Sequence, residues 1–268
     1  MFALTITFLM WGILAVSGMH PNEPSDEALA RWLSGSSDEE AGTCCMKDRI
    51  RDFPGWTERQ PLPSPMFSGF LEYELEGRTV HTHYVLMLAE NHDSSPSKPL
   101  LYWSNGGPGA SSPFGLLTEL GPLLFSELST KTDYYADTGI PTPIYNQYSW
   151  TKLGHVLIFD QPAPVGFSYC EGPNTTSVMS DDANDDDDDD DGDDDDIPSC
   201  AGLGWTDELA SANSFAALQA FYKKYPVFLQ TDLFLTGESY AGSKCKRPSS
   251  TISSERKSAD LNFAFSIE

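Results

Sequence analysis

Short apolar runs separated by turn residues organise most of this chain. The stretch "MFSGFLEYELEGRTVHTHYVLML", from Met66 to Leu88, alternates well enough to predict two strands turning at Glu76-Gly77. "PLLYW" predicts a short buried strand over Leu100 to Trp103 that delivers a glycine loop. "HVLIFDQP" predicts another of the same kind, ended by Pro162, and "DLFLTG" a further one leading to Ser239. Between the last two, Leu209, Phe215, Leu218, Phe221, Tyr222 and Tyr225 recur at helical spacing, so an amphipathic helix closes near Pro226. Strands alternating with helical segments predict a mostly parallel α/β sheet flanked by helices.

The ends of the chain read differently. "MFALTITFLMWGILAVSGMH" is an apolar run that closes on small residues, the pattern of a signal peptide over residues 1–18. It falls short of the roughly 20 apolar residues a spanning helix needs, which favours a cleaved signal over an anchor. Residues 19–45 are polar and Gly/Ser-rich without a sustained period, so they are expected to be a flexible, propeptide-like lead. The domain proper is expected over residues 46–242. After Gly242 comes a Ser-rich basic tail, residues 243–268, with no helical apolar period.

Charge changes the picture only locally. The 268 residues carry a net charge of −24, and the thirteen Asp between Asp181 and Asp196 account for more than half of it. Packing that run would bury like charges, so residues 171–200 are expected to form a solvated insertion. Asp187, Asp189, Asp191 and Gly192 fit the opening of a calcium loop, but its twelfth position is Pro198 rather than Glu, and no metal is expected. The acidic balance argues against nucleic acid and anionic membrane surfaces as partners. Five cysteines leave at least one without a partner in this chain, and Cys170 with Cys200 could staple the base of the acidic loop. Asn174-Thr175-Thr176 is the one glycosylation sequon.

The candidate chemistry sits at "LTGESYAG". A serine on a strand-to-helix elbow is held in a strained turn with its hydroxyl exposed, and the N–H of the next residue can help hold an oxyanion. That assigns Ser239 as nucleophile and Tyr240 as one donor. "SNGGPGASS", Ser104 to Ser112, is a glycine loop in the right order to bring a second donor close to the reacting centre.

Three blocks, "SNGGPGASS", "YSWTKLGHVLIFDQPAPVGFSY" and "LTGESYAG", resemble the signatures of the serine carboxypeptidase family in the family's order, and the likeness runs from about "DFPGW" to Gly242. The resemblance implies an α/β-hydrolase fold, a secreted or vacuolar/lysosomal enzyme without cofactor, and peptide or protein substrates cut at the C-terminus. By position it makes Ser239 the nucleophile and Gly107 and Tyr240 the oxyanion-hole donors. Asn105, Gly106, Glu119 and Glu238 would bind the substrate's terminal carboxylate. Two carboxyl groups can hold a third only by sharing protons, which favours acidic pH.

The sequence departs from the family in three ways. Ala110 stands where the family usually has Cys, the acidic loop is an insertion, and the triad is incomplete. In this fold the order is Ser, Asp, His. After Ser239 there is Asp260 but no histidine, because His20, His81, His83, His92 and His155 all precede it. The expectation is therefore an α/β-hydrolase sheet truncated after the elbow, an N-terminal portion inactive as written. Two alternatives use the same site, a non-catalytic secreted peptide-binding or regulatory protein and an acyltransferase. No stable membrane association is expected once the signal is removed.

Overall fold

The structure is a computed structural model that describes residues 24–35, 45–57, 60–90, 98–171, 200–242 and 263–265. The signal-like run, Asn174, the acidic run and residues 243–262 lie outside the described residues.

The core is one twisted sheet with apolar side chains on both faces. In chain order its strands are β1 (Arg49–Ile50), β2 (Met66–Leu75), β3 (Arg78–Met87), β4 (Leu100–Ser104), β7 (His155–Phe159), β8 (Tyr169–Glu171), β9 (Leu233–Gly237) and β10 (Phe263–Phe265). A small separate ribbon pairs β5 (Leu123–Leu124) with β6 (Ile144–Tyr145). The main order is β1-β2-β3-β7-β4-β9-β10, with β8 on β3. The β2–β3 hairpin turns where the sequence places it, and Glu76 (φ 51°) and Gly77 (φ 73°) take the left-handed conformations of a tight hairpin turn.

The expectation of a mostly parallel sheet is corrected to a mixed one. Parallel pairing is confined to β4 with β7, β4 with β9, and β9 with β10. The pairs of β2 with β1, and of β3 with β2, β7 and β8, are antiparallel. For β2 and β3 the reason is connection length, since a two-residue turn can only join antiparallel neighbours while parallel ones need a crossover.

Alternation within the strands sorts the core into two layers. The helices in chain order are α1 (Asp26–Ser34), α2 (Ser112–Gly115), α3 (Asp133–Thr138) and α4 (Asp207–Lys224). On one face Leu71, Tyr84, Leu86, Tyr102, Leu157, Phe159 and Leu235 pack beneath α4, which contributes Ala217, Leu218 and Phe221. On the other face Met66, Val85, Met87, Trp103, Val156 and Ile158 pack against Trp56, Leu116 and Leu120. Thr206 caps α4 by accepting from the Leu209 N–H, Asp207 and Glu208 occupy its first turn, and Lys223 and Lys224 its last, all favourable to the helix dipole. The buried stripe of α4 is rich in small residues, Ala210, Ser211, Ser214 and Ala217 among them, so the helix approaches the sheet closely.

Two expectations about the ends need correction. Residues 24–35 are not a loose lead. They hold α1 (Asp26–Ser34), capped by Ser25 and closed by Gly35 in a left-handed turn, with Leu29 and Leu33 at 0% exposure in the main core. Asp26 pairs with Arg49 and Arg51, and Trp32 packs on His155 and Phe228. The tail also contributes a folded element, because Phe263–Phe265 pairs with Leu233–Leu235 as β10. An uncovered β9 would present a row of unpaired backbone groups, and pairing satisfies them. Cys170 and Cys200 are joined, with Cα atoms 5.3 Å apart, so the staple at the foot of the acidic loop is present.

Buried phenols make the fold sensitive to alkali. The Tyr84 hydroxyl donates to Asp48 Oδ2 (2.5 Å) and meets the Tyr225 hydroxyl (2.6 Å). Burial first, then Tyr225 and Asp48, push the Tyr84 pKa far above its ordinary 10.0. Burial likewise raises Tyr73, against the smaller opposing effect of its hydrogen bonds with Thr82 and Asn213. An unfolded chain sheds these protons above about pH 10 while the fold retains them. This contribution to stability is complete below pH 10 and is lost above it, at about 1.4 kcal/mol per pH unit for each phenol. Urea midpoints measured between pH 8 and 11 are expected to be level at first and then to fall. A midpoint that stayed level to pH 11 would refute this.

Candidate active site

The site forms where β4 and β9 lie side by side and parallel, with Ser104 opposite Gly237. Each strand ends in a turn on the same edge of the sheet, so the glycine loop and the elbow come together. Ser239 follows β9 at φ 55°, a left-handed conformation that few L-residues adopt. Strain of this kind persists only where the surroundings enforce it, and it collects at functional sites. Here the surroundings are backbone bonds. The Glu238 N–H donates to the Ser104 carbonyl (3.3 Å), and the Ala241 and Gly242 N–H groups donate to the carbonyls of Glu238 (3.0 Å) and Ser239 (3.1 Å). Glu238 and Ser239 are both exposed, so the hydroxyl is open to solvent.

Glycine is required where the two turns touch. A Cβ on Gly106 would stand 2.8 Å from the Glu238 carbonyl oxygen and 3.0 Å from both Ser239 Cβ and the Tyr240 nitrogen. One on Gly237 would lie 2.6 Å from the Ser104 oxygen. Gly107 sits at φ 109°, and Gly107 to Gly109 form the exposed lip of the loop. Gly106→Ala is expected to force the loop off the elbow and cost about 1–3 kcal/mol, the usual range for overpacking. A thermal melt equal to that of the unaltered protein would refute it.

Asn105 is the hub of the loop. Its side-chain N–H donates to Glu238 Oε1 at 2.8 Å, which fixes the carboxylate across the two turns. Its Oδ1 accepts from the Trp103 indole N–H (2.9 Å) and the Gly115 N–H (3.2 Å), and its own N–H donates to Ser112 Oγ (3.3 Å). Asn105 is 1% exposed, so every one of its polar groups needs these partners. Trp103 and Ser112 are the residues that sequence reasoning did not assign. Their signal was position alone, two residues before and seven after the asparagine.

The remaining sequence-predicted residues divide. Tyr240 follows the nucleophile directly, as an oxyanion donor must, and its hydroxyl donates to Asp207 at the start of α4. That bond, with a smaller effect of burial, raises the phenol above its ordinary pKa. Glu119 lies in a π-helical turn, Leu116–Leu120, with its side chain exposed and not hydrogen-bonded to Asn105 or Glu238. What fixes this residue is its backbone carbonyl, which accepts from Asn146 (3.2 Å).

No histidine among the described residues bonds to Ser239. His155 is buried with Nδ1 accepting from the Ala89 N–H (3.2 Å). His81 stacks on Tyr169 at 4.4 Å and faces Glu171. His83 lies between Ser68 and Asp160. Among the described residues no three His, Cys, Asp or Glu side chains gather as a metal site, and no helix is long and apolar enough to cross a membrane.

Comparison with known proteins finds relatives over most of the chain. The chain is 31% identical over 196 residues to the lysosomal protective protein of Mus musculus, covering 73% of this chain and 32% of that one. It is 31% identical over 219 residues to serine carboxypeptidase-like 26 of Arabidopsis thaliana, covering 81% of this chain and 39% of the relative. It therefore spans 32% to 39% of the length of these relatives. The fold resembles the crystal structure of a prohormone-processing carboxypeptidase, Kex1(Δ)p of Saccharomyces cerevisiae, with a TM-score of 0.61 over 83% of this chain and 43% of that one at 20% identity. A family model described as serine carboxypeptidase matches residues 54–265, running past Gly242 into β10. The chain belongs to the serine carboxypeptidase family.

Proposed function

We propose that this chain carries the nucleophile and the carboxylate-recognition half of a serine carboxypeptidase site. The observation that carries the reading is the 2.8 Å bond from Asn105 to Glu238, beside a serine held at φ 55°. In the reaction, the terminal carboxylate of a peptide would settle on Asn105, Gly106 and Glu238, with Glu119 reaching in from its exposed turn. Ser239 would attack the last peptide carbonyl, and the Gly107 and Tyr240 N–H groups would hold the oxyanion. The serine needs a base to take its proton, and none of the described histidines supplies one to Ser239. The reading for the described residues is accordingly carboxylate binding, with no histidine among them placed to drive acyl transfer at Ser239, in a secretory or lysosomal compartment.

The test is binding rather than turnover. A blocked dipeptide with a free C-terminal carboxylate, added at acidic pH, is expected to raise the melting temperature, and its C-terminal amide is not. Glu238→Ala should abolish the difference. An amide that stabilises as well as the acid would overturn the assignment. A fluorophosphonate probe is expected to leave Ser239 unlabelled, and labelling there would show that a base reaches it.

A further inference from the structure

A hydrogen-bonded Ser–His–Asp chain is present in this structure, on β2, β3 and the end of β7, and its histidine is not bonded to Ser239. Ser68 Oγ lies 2.8 Å from His83 Nε2, and His83 Nδ1 lies 2.9 Å from Asp160 Oδ2. The three residues come from β2, β3 and the end of β7. Ser68 and Val85 are opposed in register, His83 is two residues back on the same face, and Asp160 donates its own N–H to the His83 carbonyl. The arrangement is rigid. Asp160 is 0% and His83 8% exposed. The Ser68 N–H is tied to the Asp48 carbonyl (2.8 Å), and the His83 N–H to Ser168 Oγ (2.8 Å).

The proton positions follow from the partners. Asp160 is the acceptor of the group. Its Oδ1 accepts from Ser111 Oγ (2.6 Å), and its Oδ2 from the Phe167 N–H (3.3 Å) as well as from His83 Nδ1. With the ring proton held on Nδ1, the Nε2 lone pair faces the Ser68 hydroxyl. That is the tautomer a general base requires, fixed by a buried carboxylate as in any such triad. Gly166, at φ 60°, lets the backbone pass close against the acid, because a Cβ there would lie 2.2 Å from Asp160 Oδ2.

The surroundings are aromatic and open. Phe70 is 42%, Phe167 70% and Tyr169 37% exposed. The Phe167 and Phe70 rings stand 5.1 and 5.7 Å from the His83 ring, and Phe70 meets Tyr169 at 5.5 Å. Nothing in the carboxylate-binding reading uses these residues.

We propose that Ser68 is a second activated nucleophile, paired with His83 as base and Asp160 as orienting acid, and that it takes the acyl group of aromatic or otherwise activated esters. Ser68 Oγ attacks the ester carbonyl, and its proton passes to His83 Nε2. The tetrahedral adduct then breaks its bond to the alcohol oxygen, which leaves with the proton from Nε2, and the acyl group stays on Ser68. With a fluorophosphonate the oxygen–phosphorus bond forms, the phosphorus–fluorine bond breaks, and fluoride departs while Nε2 carries the proton to solvent. The proposal is independent of the role given to Ser239.

The experiment is fluorophosphonate labelling of the intact chain followed by peptide mapping. The adduct is expected on the peptide that holds Ser68, at a rate about 100-fold above that of serines without a base. Ser68→Ala should remove it. Asp160→Asn should slow it by about 100-fold or more, because an amide N–H aimed at Nδ1 moves the ring proton to Nε2. Near-UV circular dichroism verifies that each variant is folded. Absence of an adduct at Ser68 in the folded unaltered chain overturns the proposal, wherever else the probe reacts. Equal labelling of a folded Asp160→Asn variant overturns the role of the acid.

Discussion

Replacing Leu29 and Leu33 together by alanine is expected to unfold this protein or bring it close to unfolding. Both side chains are 0% exposed and sit in the main core with Phe228, Val227 and Tyr225. A buried Leu→Ala change typically costs about 2–5 kcal/mol, part lost transfer energy and part cavity. Two such changes on one short helix rival the whole stability of a typical domain, about 5–15 kcal/mol. The helix cannot refill the space. Its nine residues are fixed at the two ends by Ser25 and Gly35 and tied down by the pairs from Asp26 to Arg49 and Arg51. Urea unfolding of the single and double variants measures the cost, and removal of residues 24–35 should have an effect at least as large. A double variant within about 1 kcal/mol of the parent, well under the cost of even one buried Leu→Ala change, would show that α1 is not part of the core.

The second large effect is loss of the bridge between Cys170 and Cys200. The two residues are separated by 30 positions in sequence. Constraining a loop of that size removes enough unfolded-state entropy to stabilise the fold by about 3–4 kcal/mol. Both cysteines are buried, in a cluster with Val80, Ala163 and Leu203, so reduction also leaves two thiols in place of a packed disulfide. Cys170→Ala with Cys200→Ala should lower the urea midpoint, and a reductant should lower that of the unaltered protein by a similar amount but leave the double variant unchanged. Identical midpoints with and without reductant would mean that the bridge contributes nothing.

The sequence shows some parts of this molecule far better than others. β2, β3, β4, β7 and β9 were legible because each is an apolar or alternating run bounded by turn residues, a local signal. α1 was not. Its apolar residues Leu29, Trp32 and Leu33 are few and lie among charges, so only the core beneath them shows why the helix forms. The mixed character of the sheet was hidden too, since which strands pair is decided between segments far apart in sequence. At the candidate site, Ser239 was readable from the local strand-turn pattern, whereas Asn105, Gly106 and Glu238 were named only through the family resemblance, and the structure brings them beside it. The chain through Ser68, His83, Ser111 and Asp160 was not, because its members are spread over 93 positions and meet only when β2, β3 and β7 align.

β10 has a consequence for how β9 moves. Successive amides along a strand point to opposite sides, so those of Leu233 to Leu235 divide between β4 and β10. If β10 lifts away while β4 stays, only the amides on its side lose their partners. Hydrogen exchange along these residues would then alternate, slow toward β4 and fast toward the open side. The ratio of the two rates reports how much of the time the chain's own tail guards the strand that carries the nucleophile.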